Sequence, residues 1–285
     1  MNAESCVVLA GGTGTRLRAV TGGGNKHLVP INGVSALRHV IEPVVASATV
    51  GSVVVVTSPE WRDVIAHELR GISRPVHVVT QPRADGTLAA VLCALPMVTA
   101  DRLCVHLGDN LFGWRQLPPA PPWYPVQADA VLYVVRGGAS EARHFGRVVV
   151  EHSAGWLVAV SLAEKEDAPP GHDGALLLTG FVRVTRAALS EAAAAVRCSV
   201  RGEWELTSAL DYLARRGRAG VELVEAPWLD IGTPERLTRA PAVLAARRTS
   251  TARPVRPTAP TPVRSDGRAR GLELPPGPPW PAPRA

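Results

Sequence analysis

In the first hundred residues, apolar positions fall into short β-branched runs at 6–9, 52–57, 76–80 and 103–107. Between them lie stretches near 35–47, 61–70 and 88–97 in which apolar residues recur every three or four positions. Runs of that length read as strands and the periodic stretches as helices, so the alternation predicts βαβ units on a parallel sheet. The pattern changes after a proline-rich loop at 117–125. Strand-like segments at 130–135, 147–151, 156–161 and 176–184 follow with few helices between them, which predicts a mixed or antiparallel half packed onto the first. Helices near 186–196 and 205–215, a strand at 221–224 and a last helix over 235–247 complete the folded part.

No apolar run approaches the roughly 18 residues of a membrane span, and the first residues lack the basic start of a signal peptide. The four cysteines, Cys6, Cys93, Cys104 and Cys198, show no metal-ligand spacing and sit in apolar segments, as small hydrophobes do in a reducing cytoplasm. The formal charge of +6 is uneven. Residues 247–285 hold eight arginines against Asp266 and Glu273, which leaves residues 1–246 balanced. The same segment carries ten prolines and no apolar period, so the chain divides into a folded domain over 1–247 and a disordered Pro/Arg-rich tail over 248–285. A nucleic-acid role would rest on the tail alone, and none is expected.

Candidate chemistry lies at the predicted strand ends. After the first strand comes Gly11-Gly12-Thr13-Gly14-Thr15-Arg16, where glycines let backbone N–H groups approach phosphate. A dinucleotide fingerprint would need glycine in place of Leu17, and a P-loop would need glycine-lysine-serine/threonine; neither is present. The chain has 29 arginines but only two lysines, Lys26 and Lys165. An ammonium fits among phosphate oxygens where a planar guanidinium does not, so both are candidate phosphate ligands. Asp109 in LGDN and Asp230 in WLDIGT each leave a strand. Two carboxylates from distant segments suit magnesium, which takes one or two of them with water and substrate phosphates.

Taken in order, the motifs resemble the sugar 1-phosphate nucleotidyltransferases, and glucose 1-phosphate thymidylyltransferases in particular. They are LAGGTGTRL (9–17), NKHLVP (25–30), QPRADG (81–86), LGDN (107–110), HFGRVVVE (144–151), SLAEKE (161–166), LTGF (178–181), RGEWELTSAL (201–210) and WLDIGT (228–233). The resemblance implies an α/β nucleotidyltransferase fold, a Rossmann-like, mostly parallel sheet with a mixed sugar-binding half. It implies transfer of a nucleotidyl group from a nucleoside triphosphate, dTTP by the family default, to glucose 1-phosphate or another sugar 1-phosphate, with Mg²⁺ as cofactor. Arg16, Lys26 and Lys165 would be catalytic. Gly11, Gly12, Thr13, Gly14, Thr15, Gln81, Gly86 and Asp109 would hold the nucleotide, with Gln81 and Gly86 at the pyrimidine edge. Asn110, Gly146, Glu164, Lys165, Gly180 and Arg201 would hold the sugar phosphate, and Asp109 and Asp230 the metal. The enzyme is expected in the cytoplasm as a homo-oligomer, without nucleic-acid or membrane partners. A non-catalytic nucleotide-sugar sensor is the rival within the family; the retained charge set of Arg16, Lys26, Asp109, Lys165 and Asp230 argues against it. The sequence departs from the family at Asn32-Gly33-Val34-Ser35, where a lysine-proline or arginine-proline pair is usual. Further departures are the run after Gly86, and Ala163 and Glu166-Asp167 around the second lysine. The C-terminal helices that form a regulatory site in longer members are not expected.

Overall fold

The computed structural model describes residues 3–12, 14–124, 126–138, 141, 144–153, 155–164 and 174–247. Four parallel strands form its first half: β1 (Glu4–Leu9), β4 (Val50–Thr57), β5 (Val76–Thr80) and β6 (Arg102–Leu107), in the spatial order β5-β4-β1-β6. Their side chains alternate between two cores. Val7, Val54, Val56, Leu103 and Val105 face one, and Cys6, Val8, Val53, Val55 and Cys104 the other. Strands covered on both faces read as continuous apolar runs, which is why they were legible. Helices α2 (Ala36–Val45) and α3 (Arg62–Glu68) close one face through Leu37, Ile41 and Ile65. Helices α4 (Thr87–Ala94), α5 (Arg186–Ala195) and α6 (Leu206–Ala214) close the other through Leu88, Leu189 and Leu210. A short α1 (Arg18–Thr21) follows the glycine loop.

The second half does not form a layer of its own but extends the same sheet. Strands β8 (Ala130–Gly137), β9 (Arg147–Ser153), β10 (Trp156–Ala163), β11 (Ala175–Thr185) and β12 (Ala219–Leu223) complete nine strands in the order β5-β4-β1-β6-β11-β8-β12-β10-β9. The eleven-residue β11 runs antiparallel to both β6 and β8, so its alternate side chains join both cores. A buried charge ties the halves together: Arg183 of β11 pairs with Glu4 of β1 at 3.0 Å and also donates to Tyr133 and to the Pro118 carbonyl. Removing one partner of such a pair leaves an uncompensated buried charge, at a cost of about 3–5 kcal/mol.

Two short ribbons lie outside the main sheet. In one, β2 (Pro30–Ile31) turns back as β3 (Val34–Ser35) through Asn32 and Gly33, at φ 53° and 82°. In the other, β7 (Asn110–Phe112) pairs with β13 (Trp228–Asp230). The predicted last helix is two pieces, α7 (Pro234–Leu237) and α8 (Ala240–Ala246). Pro241 has no N–H to donate to the Leu237 carbonyl and stands in the first turn of α8, the position a helix tolerates best, so the second piece starts there. The predicted tail, 248–285, lies outside the described residues.

Candidate active site

The β7–β13 ribbon brings the two aspartates together. Asp109 immediately precedes β7, Asp230 ends β13 opposite Asn110, and the Ile231 N–H donates to the Asp109 carbonyl at 2.9 Å. Gly108 permits the exit from β6, since a Cβ there would stand 2.8 Å from the Leu9 carbonyl oxygen.

Lys26 enters from the other side on a 3₁₀ turn, Lys26–Leu28, capped by Asn25. The Asn25 Oδ1 accepts from both the backbone N–H and Nδ1 of His27 at 2.8 Å, which fixes the turn. The Lys26 ammonium forms an ion pair with the Asp109 carboxylate, with only 14% and 11% of the two side chains exposed. Burial alone would raise the Asp109 pKa, but the adjacent ammonium, His27 and the Asn110 amide outweigh it and hold the carboxyl well below its usual range. Burial would likewise lower Lys26, yet Asp109 and Asp230 hold it charged, above its ordinary value. Asp230 is pushed up by burial and by the negative Asp109, although the Gly232 N–H (2.9 Å) and Arg236 (3.2 Å) support its charge. Two carboxylates thus share one ammonium at their core, and the strain between them is of the kind a divalent cation relieves.

The glycine loop packs directly on this centre. A Cβ on Gly12 would lie 3.3 Å from Lys26 Cε, and one on Gly14, at φ +60°, 3.1 Å from Lys26 Cβ. The Arg16 guanidinium reaches Gly232, beside the Asp230 turn. Gly11, Gly12, Gly14, Arg16, Lys26, Asp109 and Asp230 therefore meet in one place. Thr15 opens the exposed 3₁₀ turn that carries Arg16, and Thr13 lies outside the described residues.

Beside Gly11, Gln81 leaves β5 with its side chain fixed. Its Nε2 donates to Asp85 Oδ1 at 2.8 Å and to the Gly86 carbonyl at 3.0 Å, while Oε1 faces the Gly11 backbone. The loop is clamped in turn. Trp204 donates its N–H to the Asp85 carbonyl (2.7 Å) and accepts from the Leu88 N–H (2.8 Å). Gly86, at φ +111°, lies so close that a Cβ would stand 2.3 Å from the Trp204 oxygen. Arg201 pairs with Glu205 at 2.5 Å and Glu203 at 3.5 Å, and Glu205 accepts from Thr87, which ties Arg201 to the segment after Gly86.

Next to Asp109, Asn110 turns inward. Its Oδ1 accepts from Trp228 Nε1 (2.7 Å) and the Gly180 N–H (3.2 Å), and its Nδ2 donates to Asp109 Oδ1 (2.9 Å). Its visible work is to orient Asp109. Gly180 permits this, since a Cβ there would be 2.5 Å from Asn110 Cγ. Gly146, just before β9, accepts from the Leu178 N–H at 2.8 Å; Glu164 follows β10 half-buried; Lys165 lies outside the described residues. Three residues that the sequence reading did not single out join this group. Trp228 packs on Phe145 with ring centroids 4.8 Å apart, and Arg236 lies over the Phe145 ring. Trp228 and Phe145 stand inside quoted motifs, but nothing local marks them as partners.

The family described as Nucleotidyl transferase matches residues 5–247. The chain is 33% identical to the UTP-glucose-1-phosphate uridylyltransferase AglF of Haloferax volcanii, over 80% of this chain and 91% of that protein. It is 31% identical to the glucose-1-phosphate thymidylyltransferase of Streptomyces griseus, over 79% of this chain and 62% of that one. Among solved structures, the inositol-1-phosphate CTP transferase of T. maritima shares the fold, with a TM-score of 0.67 at 20% identity over 88% of this chain and 99% of that one. On these likenesses the chain belongs to the sugar 1-phosphate nucleotidyltransferases of the nucleotidyl transferase family.

Proposed function

We propose that the enzyme joins dTTP or UTP to a sugar 1-phosphate, glucose 1-phosphate first among them, releasing pyrophosphate. The observation that carries this is the Lys26–Asp109–Asp230 centre beneath the glycine loop. A phosphate oxygen of the sugar phosphate attacks the α-phosphorus in line; the new P–O bond forms as the bond to the β-phosphate breaks. Both reactants are anions, so charge neutralisation and alignment are the main tasks. Lys26, held charged by Asp109, and Arg16 would stabilise the triphosphate and the departing pyrophosphate. Asp109 and Asp230 fit Mg²⁺, which when bound supplies Lewis-acid neutralisation of phosphate oxygens. Asn110 keeps Asp109 aimed. Lys165 and Arg201 are assigned to the sugar phosphate by the family resemblance. The attacking oxygen is already ionised near neutral pH, so no protein nucleophile is required.

The reading extends to a cytoplasmic homo-oligomer that binds neither nucleic acid nor membrane. The balanced charge of residues 1–246 supports the former exclusion, and among the described residues no helix is long and apolar enough to cross a membrane. A pyrophosphate-release screen crossing five nucleoside triphosphates with a panel of sugar 1-phosphates tests the proposal. Turnover is expected with dTTP or UTP and a hexose 1-phosphate; release with no pair, or only with purine nucleotides, would refute it.

A further inference from the structure

We infer that Asp85 is a positioning residue that sets base selectivity by locking the Gln81 side-chain amide in one orientation. A glutamine amide offers two N–H donors on one atom and a carbonyl acceptor on the other, and it can present either after a flip. Here both donors are taken by groups that only accept, the Asp85 carboxylate and the Gly86 carbonyl, at 2.8 and 3.0 Å. A flip would set the Gln81 oxygen against two acceptors at once, leaving three oxygen atoms in repulsive contact. Arg83 lies 3.5 Å from the second Asp85 oxygen, and the Trp204 clamp holds the backbone on both sides of Gly86. The amide is therefore oriented by the protein's own groups alone.

The consequence concerns the ligand, and it rests on the nucleotidyl-transfer reading. Gln81 shows the site a carbonyl oxygen beside the Gly11 backbone and no free N–H. Uracil and thymine carry a ring N–H that meets such an acceptor. Cytosine and adenine carry a bare ring nitrogen at the corresponding edge, which faces the oxygen lone pair to lone pair. They reach it only by sliding until the exocyclic amino group stands there. Guanine also has a ring N–H, so its exclusion would fall to pocket size rather than to this lock. UTP and CTP, equal in size, isolate the effect.

The test compares UTP and CTP by kcat/KM and by calorimetric binding of each nucleotide alone, in the full-length protein and in Asp85→Ala and Asp85→Asn. The unaltered enzyme is expected to favour UTP by about a hundredfold or more, in the range a buried hydrogen-bonding mismatch produces. Asp85→Ala should narrow that ratio at least about tenfold, more through KM than through kcat, and Asp85→Asn, whose amide can face either way, should fall between. Equal use of UTP and CTP by the unaltered enzyme would overturn the inference. So would an Asp85→Ala variant that weakens both nucleotides by the same factor, the signature of a merely structural loop. Failure of turnover with every sugar phosphate would count against the proposed reaction alone, since nucleotide binding reads the lock without chemistry.

Discussion

The two halves of the sheet supply the site in different ways. In the parallel half β1, β4, β5 and β6 all point their carboxyl ends to one edge, so the loops carrying Gly11, Gln81 and Asp109 converge without further device, as they do in open α/β sheets generally. In the other half the strands run in both directions, antiparallel except for the parallel pair β8–β12, and convergence has to be made from within them. Gly180 lies inside β11, where the register with β8 shifts between Leu178 and Val182 and the backbone N–H turns to Asn110 instead. The parallel half thus places charge by topology, and the mixed half places it by close approach of single residues.

The sharpest way to break that comparison is to remove the charge that the parallel half delivers. Lys26→Gln leaves two buried carboxylates without their shared ammonium, and kcat should fall at least about a hundredfold; steady-state kinetics on a variant with a native circular-dichroism spectrum would show it. Next comes a pair of glycines, one from each half. Gly108→Ala meets the fixed Leu9 backbone and His27, so it should cost about 1–3 kcal/mol of stability in denaturant unfolding. Gly180→Ala meets a side chain, Asn110, and should lower kcat about tenfold or more through misdirection of Asp109, with a smaller stability loss. If both variants lost stability and activity in the same proportion, the distinction between the halves would fail.

Acid should find the parallel half first. His27 and His106 are buried there, and burial, aided by Lys26 and Arg247 respectively, lowers their pKa values to about 3 and about 4 from 6.5. A depressed histidine favours the neutral folded form, so its stabilisation is complete above pH 6.5 and is lost as pH falls from there toward the folded values. Each should contribute about 1.4 kcal/mol per pH unit in that window. Denaturant titrations at pH 7 and pH 5 should show the loss, and His106→Phe should make it shallower. The smallest effect is expected from truncation after Arg247. That arginine caps α8 and donates to the carbonyls of Phe112 and His39 at 2.8 Å each, so a cut beyond it should leave kcat/KM unchanged.

Much of this was legible in the sequence, for identifiable reasons. The parallel strands announce themselves because both faces are buried, and Val76–Thr80 has the predicted bounds. Asp109 and Asp230 were legible as strand-end carboxylates, but not their neighbourhood. The ribbon that joins them pairs three-residue strands more than a hundred positions apart, and no local period encodes that. The β2–β3 hairpin carried a local signal, since Asn-Gly supplies two positive-φ residues for a two-residue turn, yet it is absent from the predicted elements. The inward turn of Asn110 and the engagement of both Gln81 amide protons were not legible at all. Their partners, Trp228, Gly180 and Asp85, are ordinary residues until the fold brings them within hydrogen-bonding distance.

The most direct test of the central claim is phosphorus NMR of the unaltered enzyme and Asp109→Asn, each supplied with UTP, glucose 1-phosphate and magnesium. The account predicts pyrophosphate and a nucleoside diphosphate sugar appearing in equal amounts with the unaltered enzyme, and a rate at least about a hundredfold lower with the variant. Equal rates in the two proteins, or pyrophosphate appearing without a nucleoside diphosphate sugar, would contradict it.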